Sequence, residues 1–165
     1  EITDLAMLWP LLKTIYVEDN RFKVDFSEKS ISTSDGRGKK IVRFILCALE
    51  KQLSGRDYDP SSDSFNIEHI LPQNAPDGWG GFSYDESRAL VDRLGNMTIL
   101  NVRVNRDIGT EEYVEKRSYY ENSDYYLTKR LAEQNEEWTP ERISAWQSWM
   151  ANQATAIWRI AQLSS

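Results

Sequence analysis

The stretch FNIEHILPQ, from Phe65 to Gln73, contains the only histidine of the chain, His69, directly after Glu68. Asn96 stands just before the apolar run MTIL, and Asn105 lies beyond it in NVRVN. A neutral imidazole can take a proton from water near pH 7. A carboxylate and an amide carbonyl are hard oxygen donors suited to Mg²⁺ or Mn²⁺, ions that keep waters and bind phosphate. Together these residue types suggest a divalent ion beside a general base. Each also has a plain alternative. A lone histidine is more often structural, Asn96 after Gly95 suits a turn, and Asn105 suits an exposed helix.

The elements that must position these groups follow from local patterning. SFNIEHIL is short and partly β-branched, with Phe65, Ile67 and His69 alternating against Asn66 and Glu68, which reads as a strand closed by Pro72. Adjacent strand residues point to opposite faces. Glu68 and His69 therefore share one ion only where the strand ends or distorts, as it can before Pro72. NMTIL reads as a second strand. Between the two lie the Gly/Pro loop QNAPDGWGGF and a helix opened by a Ser83/Glu86 capping box and closed at Gly95, too long an insertion for a tight hairpin. NVRVNRDIG begins the next helix.

Upstream, a helix is expected over residues 3–17 from a Thr3 cap, with Pro10 inside it, followed by an irregular stretch over 20–37. A clear helix spans Lys39 to Ser54, with Ile41, Phe44, Ile45, Ala48 and Leu49 as its apolar positions and Gly55 as its stop. Downstream the pattern is helical, with starts expected at Thr110, Ser123 and Thr139-Pro140. The last helix places Ile143, Trp146, Met150, Ala154 and Ile157 on one face. The fold class is α+β, mostly helical, with two short strands embedded in flanking helices. One domain is expected over 1–165: an N-terminal helical part (1–60), a core with its insertion (61–109) and a helical tail (110–165).

The 165 residues include a single cysteine, Cys47, so neither a disulfide framework nor a cysteine-built zinc site can be assembled. No apolar run is long enough to span a bilayer, and a cytoplasmic location is expected. The chain starts at Glu1, as a piece of a longer protein would. The formal net charge of −6 argues against a simple basic nucleic-acid module. Charge is polarised, however: GRGKKIVRF gathers Arg37, Lys39, Lys40 and Arg43, and such a segment can form a local basic face. The tail tyrosines and Trp79 read mainly as packing residues.

IEHILPQ followed by LGNMTILNVRVN resembles the ββα-metal, or HNH, nucleases, and more specifically the C-terminal nuclease domain of GmrSD-type restriction proteins, which target modified DNA. VEKRSYYENSDYYLTKRL and the following W…I…W helix resemble that domain's helical tail, and IVRFILCALE its preceding helix. The resemblance covers residues from about 39 to 160. It implies a ββα-metal core with His69 activating water and Asn96, the other catalytic-motif position, bracing the loop between the strands. It also implies one Mg²⁺ or Mn²⁺ ion on Glu68 and Asn105. Glu68 departs mildly from the usual Asp. Asn101 and Val104 stand where many HNH proteins carry zinc-binding cysteines, so no structural zinc is implied.

The implied activity is metal-dependent hydrolysis of phosphodiester bonds, a DNA endonuclease or nickase in bacterial antiviral defence. Its partners would be double-stranded DNA, modified or foreign, and an N-terminal sensor or NTPase domain, with oligomers formed through the full-length protein and no membrane. DNA contacts are expected at Arg37, Lys39, Lys40, Arg103 and Lys116. The alternative is a catalytically inactive DNA-binding or helical interaction module that keeps the fold.

Overall fold

A computed structural model of the chain describes residues 17–158. Helix 3–17, with Thr3 and Pro10, lies outside them apart from Val17. Among these described residues, seven α-helices surround a two-stranded antiparallel sheet, a mostly helical α+β fold. The helices are α1 (Asp19–Ser27), α2 (Gly36–Ser54), α3 (Tyr84–Leu90), α4 (Val102–Ile108), α5 (Tyr113–Glu121), α6 (Tyr126–Gln134) and α7 (Pro140–Ile157). The strands are β1 (Phe65–His69) and β2 (Met97–Asn101). They pair with Glu68 opposite Thr98 and His69 opposite Met97. The insertion between them holds α3, which opens on the Ser83/Glu86 capping box.

Several local expectations are corrected. Residues 20–37 are not all irregular, because α1 forms there. Its Phe22 and Phe26 stand one turn apart with ring centroids 5.8 Å from each other, and the helix packs on α7. In α2 the interior face is Val42, Leu46, Cys47 and Leu49, while Ile41 and Phe44 are exposed. This helix starts earlier than Lys39, because the Asp35 carboxylate caps Gly38 N–H at 2.7 Å. It ends as expected on Gly55, in the left-handed region. Helix α3 stops at Leu90 rather than Gly95. Beyond it the chain turns out to pair Arg93 with Ser30 in an isolated bridge.

Thr110 and Ser123 are not helix caps. Helix α5 begins after Glu112, and α6 begins at Tyr126, where the buried Glu50 carboxylate of α2 accepts Tyr126 N–H (3.0 Å) and Leu127 N–H (2.7 Å). A residue from another helix thus satisfies the free donors that every helix start exposes. Thr139 and Pro140 do open α7.

The core joins all layers through Leu46, Phe65, Leu94, Ile99, Leu131, Ile143 and Met150, all fully buried. Helix α7 bears directly on the Leu94–Asn96 turn that leads into β2. Gln147 of α7 is buried there. Its amide nitrogen donates to the Phe26 and Lys29 carbonyls at 2.7 and 2.9 Å, and its oxygen accepts Gly95 N–H at 3.1 Å and Arg93 Nε at 2.9 Å. A methyl on Gly95 would lie 2.4 Å from the Ile143 carbonyl oxygen and 2.7 Å from Gln147 Cβ. Gly95→Ala is therefore expected to force α7 away and to cost about 1–3 kcal/mol, lowering Tm by roughly 2–12 °C in a chain of this size. A melt of the variant that overlays the parent would show that α7 yields without cost.

Candidate active site

The site begins at the end of β1. Glu68 and His69 are neighbours on a strand, so their side chains leave on opposite sides. The Glu68 side chain turns into the interior, where its Oε1 accepts from Lys116 Nζ and from the Tyr120 hydroxyl, both at 2.7 Å. Lys116 is fully buried and also donates to the His69 carbonyl at 3.1 Å. Burial pushes the Glu68 carboxyl up, opposed by the Lys116 charge and the two hydrogen bonds. Burial likewise raises the Tyr120 hydroxyl well above its ordinary range, with the Glu68 charge adding to it.

One sequence expectation is corrected by this triad. Lys116 cannot reach a DNA phosphate, because its ammonium is spent inside the protein on Glu68. Glu68, expected as a metal ligand, is the counter-ion of Lys116 through Oε1, which also takes the Tyr120 hydroxyl. Among the described residues no group of three or more His, Cys, Asp or Glu side chains could hold a metal ion.

His69 is half-buried. Its Nε2 lies 3.4 Å from the Thr33 hydroxyl, a long hydrogen bond, and Gln73 Nε2 donates to the same hydroxyl at 3.1 Å. Burial, followed by the positive charge of Lys116, holds the imidazole down to about 4. The ring is therefore neutral at neutral pH and carries a free lone pair. Asn105, on α4, donates from Nδ2 to the Ile67 carbonyl at 3.2 Å. That contact fixes which end of its amide is the oxygen. Among the described residues, Trp146 Nε1 is the one sealed side-chain polar atom without a partner. Asn105 Oδ1 has no hydrogen-bond partner among them and is not sealed, so it reaches solvent. It can offer one hard oxygen to a divalent ion.

Asn96 is fully buried and has all its bonding capacity filled. Its oxygen accepts from Leu71 N–H (2.8 Å) and Trp138 Nε1 (3.1 Å), and its nitrogen donates to the Leu71 and Val91 carbonyls (2.9 and 3.0 Å). It cannot touch a substrate, which corrects its placement among the catalytic residues. It holds the exit of β1 against the entry to β2.

Arg37, Lys39, Lys40 and Arg103 are exposed. Arg43, from the same basic segment, is not: it is buried over the Phe65 ring, 4.2 Å from the centroid, and donates to the carbonyls of Pro60, Ser62 and Phe65. Trp79 is an anchor that donates to the Thr110 and Glu111 carbonyls, and of the tail tyrosines only Tyr119 and Tyr126 are exposed. Sequence reasoning missed Thr33 and Tyr120. No local signal marks either, since Thr33 sits in a polar loop and Tyr120 is one of a pair.

The model of the family "GmrSD restriction endonucleases, C-terminal domain" matches residues 16–153. The chain belongs to that family. No curated protein matches the chain. Membership of GmrSD C-terminal domains indicates an endonuclease domain of restriction-type proteins, with DNA as the substrate and divalent metal use in general. No described helix is long and apolar enough to cross a membrane.

In this domain the Glu68–Lys116 pair should behave as one unit. Glu68→Leu or Lys116→Met alone leaves a buried charge without its partner and is expected to cost about 3–5 kcal/mol, whereas the two together should cost much less than the sum. Urea unfolding of the three variants measures this. Additive losses would mean that the two groups are energetically independent.

Proposed function

We propose that this domain hydrolyses phosphodiester bonds in double-stranded DNA as a nicking endonuclease of the HNH type, with His69 as general base. One observation carries the reading: the single histidine is held neutral at a strand end, with the Asn105 amide oxygen open to solvent on the helix that packs against that strand. His69 takes a proton from water. The resulting hydroxide oxygen bonds to phosphorus, the bond to the 3′ oxygen breaks, and that oxygen takes a proton from solvent. The ends are 5′-phosphate and 3′-hydroxyl, and His69 returns its proton to solvent.

An imidazole at about 4 is a weak base. A phosphate beside it favours the imidazolium and raises its proton affinity as substrate binds. Asn105 would contribute an amide oxygen to one Mg²⁺ or Mn²⁺ ion, which when bound supplies charge stabilisation to the phosphate. The single cysteine supports a site without a cysteine-built structural zinc.

In this reading the domain, residues 1–165, is the effector part of a larger cytoplasmic defence protein. A separate N-terminal sensor or NTPase domain would select modified or foreign DNA. Exposed Arg37, Lys39, Lys40 and Arg103 would contact the backbone. Thr33, which touches the imidazole, stands shortly before the start of α2, and this supports Lys39 and Lys40 as the principal cations.

His69→Ala is expected to lower Mn²⁺- or Mg²⁺-supported nicking of a supercoiled plasmid by about 10²–10⁴-fold, with the fold and DNA affinity retained. Near-parental nicking by a folded His69→Ala protein would end this assignment. Replacing Lys39 and Lys40 by Glu should weaken duplex binding without sequence preference. It should also reduce the slope of log affinity against log salt by roughly 0.9 for each phosphate that is no longer neutralised. An unchanged slope would put the DNA on a different face.

A further inference from the structure

The loop between α1 and α2 is held at several points. Ile31 N–H donates to the Asp92 carbonyl at 2.8 Å, and Ser30 bridges Arg93. Gly38, in the first turn of α2, lies so close to this loop that a methyl there would meet the Ser32 carbonyl oxygen at 1.9 Å. Thr33 is therefore presented to His69 by a fixed backbone. Its hydroxyl has two lone pairs and one proton. Gln73 Nε2 uses one lone pair, at 3.1 Å. What remains for His69 Nε2 is either the second lone pair or the hydroxyl proton.

The two choices give opposite chemistry. If Thr33 donates, Nε2 is the bare nitrogen and points into protein, while Nδ1 carries the proton and has no lone pair to use. If Thr33 accepts, Nε2 carries the proton and Nδ1 is bare. Nδ1 has no hydrogen-bond partner among the described residues and is not among their sealed atoms, so it faces solvent. We infer that Thr33 is a positioning residue that accepts the His69 Nε2–H, orients the ring and leaves Nδ1 as the nitrogen that receives a proton. Gln73 keeps the Thr33 oxygen turned toward the ring. This rests on the nuclease reading for its consequence in catalysis, but the hydrogen bond itself is separable from that reading.

One histidine in the chain makes the test direct, because its ring ¹⁵N resonances need no assignment. The parent protein should show the Nε2–H tautomer at neutral pH, and Thr33→Ser should preserve it. Thr33→Val, and Thr33→Ala in case the valine overfills the site, should shift the ring toward a tautomer mixture. In plasmid nicking the same two variants should lose on the order of tenfold in kcat, part of the 10²–10⁴ that a placed base supplies, with KM little changed. Thr33→Ser should recover most of the rate.

A parent protein with Nδ1–H, or Thr33→Val and Thr33→Ala proteins with the parental tautomer, would overturn the inference. So would a Thr33→Ser protein as impaired as the alanine variant, which would mean that the methyl group matters rather than the hydroxyl. If the tautomer responds to Thr33 as described but the parent protein never nicks DNA, the hydrogen bond stands and the nuclease reading falls.

Discussion

The buried ion pair of Glu68 and Lys116 is the contact on which the rest of the arrangement depends. Two strands of five residues cannot stand alone in water. Here β1 is fastened from beneath by a lysine that arrives from α5, and Tyr120 of the same helix satisfies the same carboxylate oxygen. Isolated, either charge would be costly to bury; paired and hydrogen-bonded, they become a specific joint between the helical tail and the sheet. Because Lys116 also holds the His69 carbonyl, the joint fixes the backbone of the residue that presents the imidazole.

A second knot closes the other end of the core. Asn96 binds the Leu71 backbone in both directions and takes the Trp138 indole N–H. Gly95 lets α7 approach closely enough for Gln147 to gather the Phe26, Lys29, Arg93 and Gly95 groups. These contacts span from α1 to α7. The tail and the N-terminal helix are therefore structural parts of the candidate site rather than appendages.

The strand–insertion–strand–helix core was legible because its signals are local: β-branched alternation, a capping box, Pro72 as a stop and Gly55 as a helix end. The interior side of α2 was less so. Ile41 and Phe44 share its apolar spacing but face outward, and only the position of α7 and the sheet decides between the two stripes. The capping of α6 by Glu50 was illegible in principle, since donor and acceptor are far apart in sequence. Residue type alone singles out His69 and Asn105 as candidates. Lys116 was misassigned because a charged residue near a motif reads as exposed, and its pairing with Glu68 across a long separation cannot be seen in one sequence.

The alternation of a β-strand explains why one dipeptide serves two purposes. Glu68 faces helices that exclude water, so its charge must be answered within the protein, and Lys116 answers it. His69 faces a shallower layer made by Thr33 and Gln73, where the imidazole is desolvated enough to stay neutral yet keeps a nitrogen toward solvent. The lysine that neutralises the carboxylate on one side also disfavours the imidazolium on the other. The ring's proton affinity is thus set in part by a residue that never meets substrate. In the proposed function a negatively charged phosphodiester is the counterweight to that field, since its approach offsets Lys116 and favours the protonated ring. In that proposal the buried pair that holds the strand together also ties the basicity of His69 to the presence of an anion beside it.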